Sequence, residues 1–280
     1  MSFRVLGLAL AFGWLSVSAK EVHDLVYAAP VGHQLRLDLD LPDEVTDPVP
    51  LVIMIHGGGW SSGSRSAFTA PELVEEGFAV ATIDYRLSPE FQFPAHIQDV
   101  KAAIRFLRSH AAEYQINGNK IGLWGSSAGG HLAVLSALSD RAAGWDVGDN
   151  LEVSSAVQAV VDWFGPTTFQ GLENAPESSK NTVKQAFGHD SLVWRQASPL
   201  YLVHRGAPPF LIMHGLQDKL VPFSQSQLLY DSLRQAEVSA QLVPVSHAGH
   251  DFRNVEGQAE PTPLKLRRQV FDFFRRTLKG

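Results

Sequence analysis

The sequence contains no cysteine. Without thiols the chain cannot form disulfides, zinc–thiolate sites or a cysteine nucleophile. The lack of cysteine does not decide the compartment, because an exported protein can fold without disulfides. The chemistry of any site must therefore come from other side chains.

The sequence also lacks a basic stripe. Its net charge is −6 at pH 7, and acidic and basic residues are mixed along the chain. Nucleic-acid binding relies on clustered lysine and arginine, so we expect no nucleic acid as a partner. Repeats and low-complexity tracts are missing as well, and 280 residues fit one large α/β domain.

Apolar runs long enough to span a bilayer are absent. The run from Val5 to Val17 is too short for a span and follows a positive charge at Arg4. Small residues at Val17 and Ala19 then form a cleavage pattern. We therefore expect residues 1–19 to be a signal peptide and the protein to be secreted or periplasmic in a bacterium. An N-terminal helix packed on the domain is the alternative.

Hydrophobic patterning indicates an α/β fold. Val22 to Ala28 and the alternating leucines of 35–41 predict an antiparallel hairpin at one edge. Continuous apolar runs then alternate with helical patterns, which predicts a mostly parallel sheet of about eight strands with helices on both faces. The predicted buried strands are 51–55, 78–83, 120–124, 157–161, 210–213 and 241–245, and the predicted helices are 71–76, 94–110, 127–138, 224–236 and 263–278.

Gly165 to Pro209 interrupts this alternation. The segment contains one predicted helix, Lys180 to Phe187, and many turn residues. Long insertions in compact domains are usually functional or disordered. Residues 20–280 are therefore expected to form one catalytic domain, with 165–209 as an insertion able to form a small lid.

A serine nucleophile is predicted at Ser127. Gly125-Ser126-Ser127-Ala128-Gly129 is a G-x-S-x-G motif between a predicted strand and a predicted helix. The turn around the serine is so tight that a side chain at either glycine would clash. Ser126 is the rival serine, but the glycines are centred on Ser127.

A glycine loop, His56-Gly57-Gly58-Gly59-Trp60, directly follows the first buried strand. Backbone N–H groups of such a loop can stabilise the negative charge on a carbonyl oxygen under attack. We expect Gly58 and Gly59 to donate together with Ala128, the residue after the nucleophile. A flexible loop and a phosphate loop are the alternatives, but the Lys-Ser/Thr ending of the latter is missing. His56 is expected to be structural.

The serine needs a base, and the base needs an orienting carboxylate. Asp218 follows a buried strand, as expected for the acid, and His250 lies on the loop after the last strand. The rival acids are Asp231, Asp251 and Glu256, and the rival base is His247. A metal site built from His214, His247 and His250 is the weaker interpretation, since no acidic cluster accompanies them.

Together these motifs resemble the hormone-sensitive-lipase-like α/β-hydrolases, and in particular the bifunctional feruloyl and acetylxylan esterase family. The resemblance implies the α/β-hydrolase fold, with Ser127 as nucleophile, Asp218 as acid and His250 as base. The sequence lacks the long helical N-terminal cap of the larger lipase-like members, which implies a more open site. The matching segments are HGGGW at 56–60, DYRLSPEFQFPA at 84–95, GSSAGGHLA at 125–133, ASPL at 197–200, PPFLIMHG at 208–215 and GHDF at 249–252.

The predicted function is a serine carboxylesterase that needs neither metal nor cofactor. Its expected partner is a small-molecule or polysaccharide-linked ester, carrying an acetyl or feruloyl group, with Trp60 helping to bind substrate. Peptidases and formamide hydrolases of the same fold remain alternatives, as does a binding protein without activity. Acyl-chain preference and oligomeric state are left open.

Overall fold

A computed structural model of the protein describes residues 19–43, 45–172 and 176–280. Residues 1–18 of the predicted signal peptide lie outside the described residues. The strands are β1 (Ala19–Ala28), β2 (Leu35–Pro42), β3 (Val49–Ile55), β4 (Ala79–Ile83), β5 (Ile116–Ser126), β6 (Ala159–Trp163), β7 (Phe210–Gly215) and β8 (Ala240–Val245). They form one sheet in the order β1-β2-β4-β3-β5-β6-β7-β8.

The first two strands form the predicted antiparallel hairpin at one edge of the sheet. Leu35, Leu37, Leu39 and Leu41 are buried, while the residues between them are only partly buried. This period of two is expected for a strand with one face on the core. β2 also pairs antiparallel with β4, and the other pairs from β4 to β8 are parallel. The predicted α/β-hydrolase sheet is thereby confirmed.

Strand β3 shows why its sequence is apolar without alternation. Leu51, Ile53 and Ile55 contribute to one core, whereas Val52 and Met54 contribute to a second core on the opposite face. Helices cover both faces, so neither set of side chains reaches water. The helices are α1 (Glu72–Glu75), α2 (Ala95–Ser109), α3 (Ala128–Leu138), α4 (Glu177–Phe187), α5 (Ser191–Gln196), α6 (Ser224–Gln235) and α7 (Pro263–Phe274).

The insertion between β6 and β7 contains more structure than the sequence predicted. The helix expected at Lys180–Phe187 begins earlier, at Glu177, and α5 was not predicted. The α5 helix has only six residues and begins where the Asp190 side chain accepts a hydrogen bond from the N–H of Leu192. A helix this short is stabilised by its cap and its surroundings, so hydrophobic period gives little sign of it.

Across 19–43, 45–172 and 176–280, none of the helices is both long and apolar enough to cross a bilayer.

Candidate active site

Ser127 lies on the turn between β5 and α3. Its backbone has φ 53° and ψ −118°, a conformation that L residues rarely adopt. A Cβ on Gly125 would lie 2.1 Å from the carbonyl oxygen of Gly129, and a Cβ on Gly129 would lie 2.0 Å from that of Ile55. The two glycines therefore allow the strand, the turn and the helix to pack together, with Ser127 partly exposed at the end of the strand.

The structure brings Ser127, His250 and Asp218 together. The Nε2 atom of His250 is 3.0 Å from Ser127 Oγ, and its Nδ1 atom is 2.7 Å from Asp218 Oδ2. The ring of Phe164 packs against the imidazole with centroids 4.7 Å apart. This is the hydrogen-bonding order of a nucleophile, a base and an orienting acid.

Asp218 is held as a buried carboxylate. Burial alone would raise its pKa, but hydrogen bonds from His214 and His250 hold the pKa well below its usual range. The backbone N–H groups of Leu220 and Val221 donate to its other oxygen, Oδ1, at 2.8 and 2.9 Å. Asp218 can therefore stay ionised across the pH range in which esterases work.

The rival residues lie elsewhere. Asp231 accepts a hydrogen bond from Gln227 on α6, and Asp251 is exposed beside Arg253. The ring of His247 packs beside Gly257 rather than against Ser127.

His214 contacts the predicted acid, which the sequence interpretation did not foresee. Its Nε2 atom is 3.2 Å from Asp218 Oδ2, and its side chain is fully buried. The two residues are four positions apart in the chain, across the end of β7. A histidine and an aspartate that close together after a buried strand were the available signal.

The glycine loop has positive φ at two of its three glycines. Gly58 and Gly59 have φ of 108° and 59°, and the carbonyl of Gly58 accepts from the N–H groups of Ser61 and Ser62. A Cβ on Gly58 would lie 2.2 Å from the Ser62 carbonyl oxygen. Within the described residues, no acceptor binds the N–H groups of Gly58, Gly59 and Ala128. These are the three donors that the sequence predicted.

His56 faces away from this chemistry. Its Nδ1 atom is 2.7 Å from the carbonyl oxygen of Gly57, and its ring stacks on Tyr85 with centroids 4.3 Å apart. Burial lowers the pKa of His56, which favours the neutral ring. Both contacts shape the loop that carries Gly58 and Gly59.

A cavity of about 400 Å³ opens beside Ser127. Its lining contains no charged side chain among the described residues, and most of the wall belongs to the insertion. The insertion contributes Pro166, Thr168, Phe169, Gln170, Gly171, Leu172, Ser179, Thr182 and Val183, and the rest comes from Gly59, Trp60, Ser127, Ala128, Leu220, Val221, Pro222 and Gln225.

Trp60 borders this cavity but is held in a buried cluster. Its indole N–H donates to Nδ1 of His131, and its ring packs edge-on against Phe169 and Phe187. His131 Nε2 is in turn 2.7 Å from the carbonyl oxygen of Ala197. Burial lowers the pKa of His131 to about 4, so the ring is neutral at pH 7. His131 therefore links the glycine loop to the insertion.

Comparison with known proteins places the chain in a family. The sequence model of BD-FAE matches residues 37–233, which is well over half of the chain. The chain belongs to the BD-FAE family. The family resemblance predicted from the motifs is thus confirmed.

Relatives of this BD-FAE protein are named as esterases. The probable carboxylic ester hydrolase LipM of Mycobacterium tuberculosis is 35% identical over 226 residues, covering 76% of this chain and 51% of LipM. A solved truncated carbohydrate esterase from gut microbiota is 29% identical with a TM-score of 0.76, covering 94% of this chain and 98% of its own. Esterase Est2 of Thermogutta terrifontis, solved with propionate bound, is 25% identical with a TM-score of 0.74, covering 92% and 93%.

The family and these relatives confirm the predicted class, a carboxylic ester hydrolase. The chain spans about half the length of the curated relatives it matches. The substrates of those longer proteins therefore do not carry over to this chain directly.

Proposed function

We propose that this protein hydrolyses short acyl or aryl esters through a covalent acyl-enzyme on Ser127, with His250 as general base and Asp218 as its orienting acid. The observation that carries the proposal is the continuous set of contacts from Ser127 Oγ through both ring nitrogens of His250 to Asp218 Oδ2, at 3.0 and 2.7 Å. The order of these contacts supports acyl transfer on a serine, whatever the substrate.

The proposed reaction is a two-step acyl transfer. His250 Nε2 removes the proton from Ser127 Oγ as the oxygen attacks the ester carbonyl. The resulting oxyanion is stabilised by the N–H groups of Gly58, Gly59 and Ala128. The leaving alcohol takes the proton from His250 as the carbon–oxygen bond breaks. Water, activated by the same histidine, then releases the acid and restores Ser127.

The cavity supports a small, uncharged acyl group. Its wall offers mainly apolar atoms, with hydroxyls from Thr168, Ser179 and Thr182. A charged acyl group would lose its hydration there without gaining an ion pair. The related esterase Est2 has been solved with propionate and with butyrate bound, which are the acids of short acyl groups.

We further propose that the enzyme is exported and removes acetyl or feruloyl groups from polysaccharides. The signal-like pattern of residues 1–19 and the similarity to a carbohydrate esterase support this proposal. Release of acetate from acetylated xylan by the purified protein is the expected result. Rapid hydrolysis of a small aryl acetate without any acetate release from xylan would contradict the polysaccharide assignment.

The esterase assignment is tested with p-nitrophenyl acetate, butyrate and octanoate. We expect turnover of the shorter esters that disappears in Ser127→Ala and persists in the matched neighbour variant Ser126→Ala. A dipeptide anilide and N-formylkynurenine, assayed in parallel, separate the esterase from a peptidase and from a formamide hydrolase. Initial rates on either amide that equal or exceed the ester rate would refute the assignment. Failure of a fluorophosphonate probe to label Ser127 would instead indicate an inactive binding protein.

A further inference from the structure

His214 contacts the same carboxylate oxygen of Asp218 that His250 contacts. The residue is fully buried at the end of β7. Its Nε2 atom lies 2.8 Å from the carbonyl oxygen of Val221 and 3.2 Å from Asp218 Oδ2. Its Nδ1 atom lies 2.7 Å from Oγ of Ser226, which is also fully buried, on α6.

These partners define which ring nitrogen carries the proton. A backbone carbonyl can only accept, so Nε2 of His214 carries a proton and donates to Val221. Nδ1 then accepts from the hydroxyl of Ser226, which fixes the same tautomer from the other side. The Nε2–H group is shared between Val221 and Asp218 Oδ2. His214 is thereby oriented by two elements that follow it in the chain.

We propose that His214 is a positioning residue for Asp218 and that Ser226 keeps His214 in its donor tautomer. The inference rests on the proposed esterase function. Asp218 receives two N–H donors on Oδ1, from Leu220 and Val221, and two on Oδ2, from His250 and His214. Rotation of the carboxylate would break several of these bonds at once, so Oδ2 stays directed at His250.

Loss of the His214 donor frees Oδ2 of Asp218 to turn away from Nδ1 of His250. The imidazole is then misoriented relative to Ser127, which lowers kcat more than it raises KM.

The experiment compares His214→Leu, His214→Gln and Ser226→Ala with the wild type, using p-nitrophenyl butyrate. Glutamine carries an N–H donor near the position of Nε2, whereas leucine carries none. We expect His214→Leu to lower kcat about 10- to 100-fold, the range found when the outer partner that orients a metal-binding side chain is removed. His214→Gln should recover most of the lost kcat, and Ser226→Ala should lower kcat about threefold.

The matched control for Ser226→Ala is Ser136→Ala. Ser136 is likewise buried, but its Oγ atom has no hydrogen-bond partner among the described residues. The kcat of Ser136→Ala should therefore stay at the wild-type value.

Melting temperatures are measured for every variant. If kcat falls equally in His214→Leu and His214→Gln, His214 is merely structural and the proposal is overturned. Unchanged kcat in His214→Leu overturns it as well. Wild-type turnover and fluorophosphonate labelling in the same assay report separately on the esterase function.

Discussion

The ends of the parallel strands and the insertion at 165–209 meet at the same cavity, but they are built differently. Ser127, Asp218 and His250 each follow a strand of the sheet, and hydrogen bonds fix their side chains. The insertion instead presents apolar side chains and hydroxyls from short helices and loops. Strand geometry therefore fixes the reacting atoms, whereas packing of the insertion fixes the shape of the pocket.

Changes in the two regions should have different signatures. A damaged triad slows every ester alike, because all substrates use the same reacting atoms. A reshaped insertion redistributes rates among substrates, because only the larger acyl groups contact the altered wall. Variants in each region, and in the residue that joins them, therefore test this difference.

Asp218→Asn should have the largest effect. The carboxamide leaves His250 without its negative partner and favours the wrong tautomer, and the comparable change in serine hydrolases lowers kcat about 10,000-fold. Steady-state kinetics on the acetate and butyrate esters should show the same factor for both. A loss of kcat on only one of the two esters would contradict the view that the triad acts on every ester alike while the insertion sets acyl preference.

Gly129→Ala should damage the strand-end region through packing alone. The new Cβ would lie 2.0 Å from the carbonyl oxygen of Ile55, so β3 and α3 must separate. We expect the free energy of unfolding to fall by about 3 kcal/mol and activity to fall with it. Gly118→Ala is the control, because its nearest side-chain contact, on Arg108, is at 3.3 Å. Equal urea midpoints for the two variants would refute the packing argument.

His131 contacts both regions, and protonation of its ring should destabilise the packing between them. Burial lowers the pKa of the folded-state ring to about 4, against 6.5 for the free side chain. The neutral ring therefore stabilises the folded state fully above pH 6.5, and this contribution is lost as the pH falls towards 4. The full loss corresponds to about 3 kcal/mol.

Urea unfolding of the wild type and of His131→Asn at pH 7.5, 5.5 and 4.5 measures this contribution. Asparagine can still accept a hydrogen bond from the Trp60 indole but does not titrate. The difference in unfolding free energy between the two proteins should shrink as the pH falls. A difference that stays constant would show that His131 does not carry the pH dependence.

Val183→Ala should give the smallest effect and the most selective one. Val183 lies on α4, is nearly buried and lines the cavity. Two lost methyl groups enlarge the pocket, so kcat/KM for octanoate relative to acetate should rise about tenfold. Lys184→Ala, one residue along the helix and outside the cavity lining, is the control. An equal change on both esters would mean that α4 affects the chemistry itself.

Much of the scaffold could be predicted because its signals are local. The continuous apolar run Leu51–Ile55 is buried on both faces, as its lack of alternation indicated. The triad could be predicted because strand ends and glycine turns constrain where a serine, an acid and a base can lie. Ser127, Asp218 and His250 are accordingly adjacent in the structure, while their roles await the kinetic tests.

The remaining features depend on contacts between distant segments. The position of His214 on Asp218 requires a turn that brings Val221 and Ser226 back to the end of β7. The burial of Trp60 requires His131 on α3 and the aromatic rings of the insertion. Hydrophobic period carries no information about either arrangement, and the unpredicted helix α5 depends on a local cap.

The two ends of the insertion lie on neighbouring strands. Gly165 follows β6, Pro209 precedes β7, and the N–H of Val160 donates to the carbonyl of Pro209 at 3.0 Å. The positions of both ends of the insertion are therefore fixed by the sheet, whatever the length of the segment between them. For enzyme engineering, the insertion is a cassette: exchanging residues 166–208 with the equivalent segment of another family member should transfer acyl preference while the scaffold retains its reaction chemistry. Family diversification by the same exchange would leave the sheet unchanged.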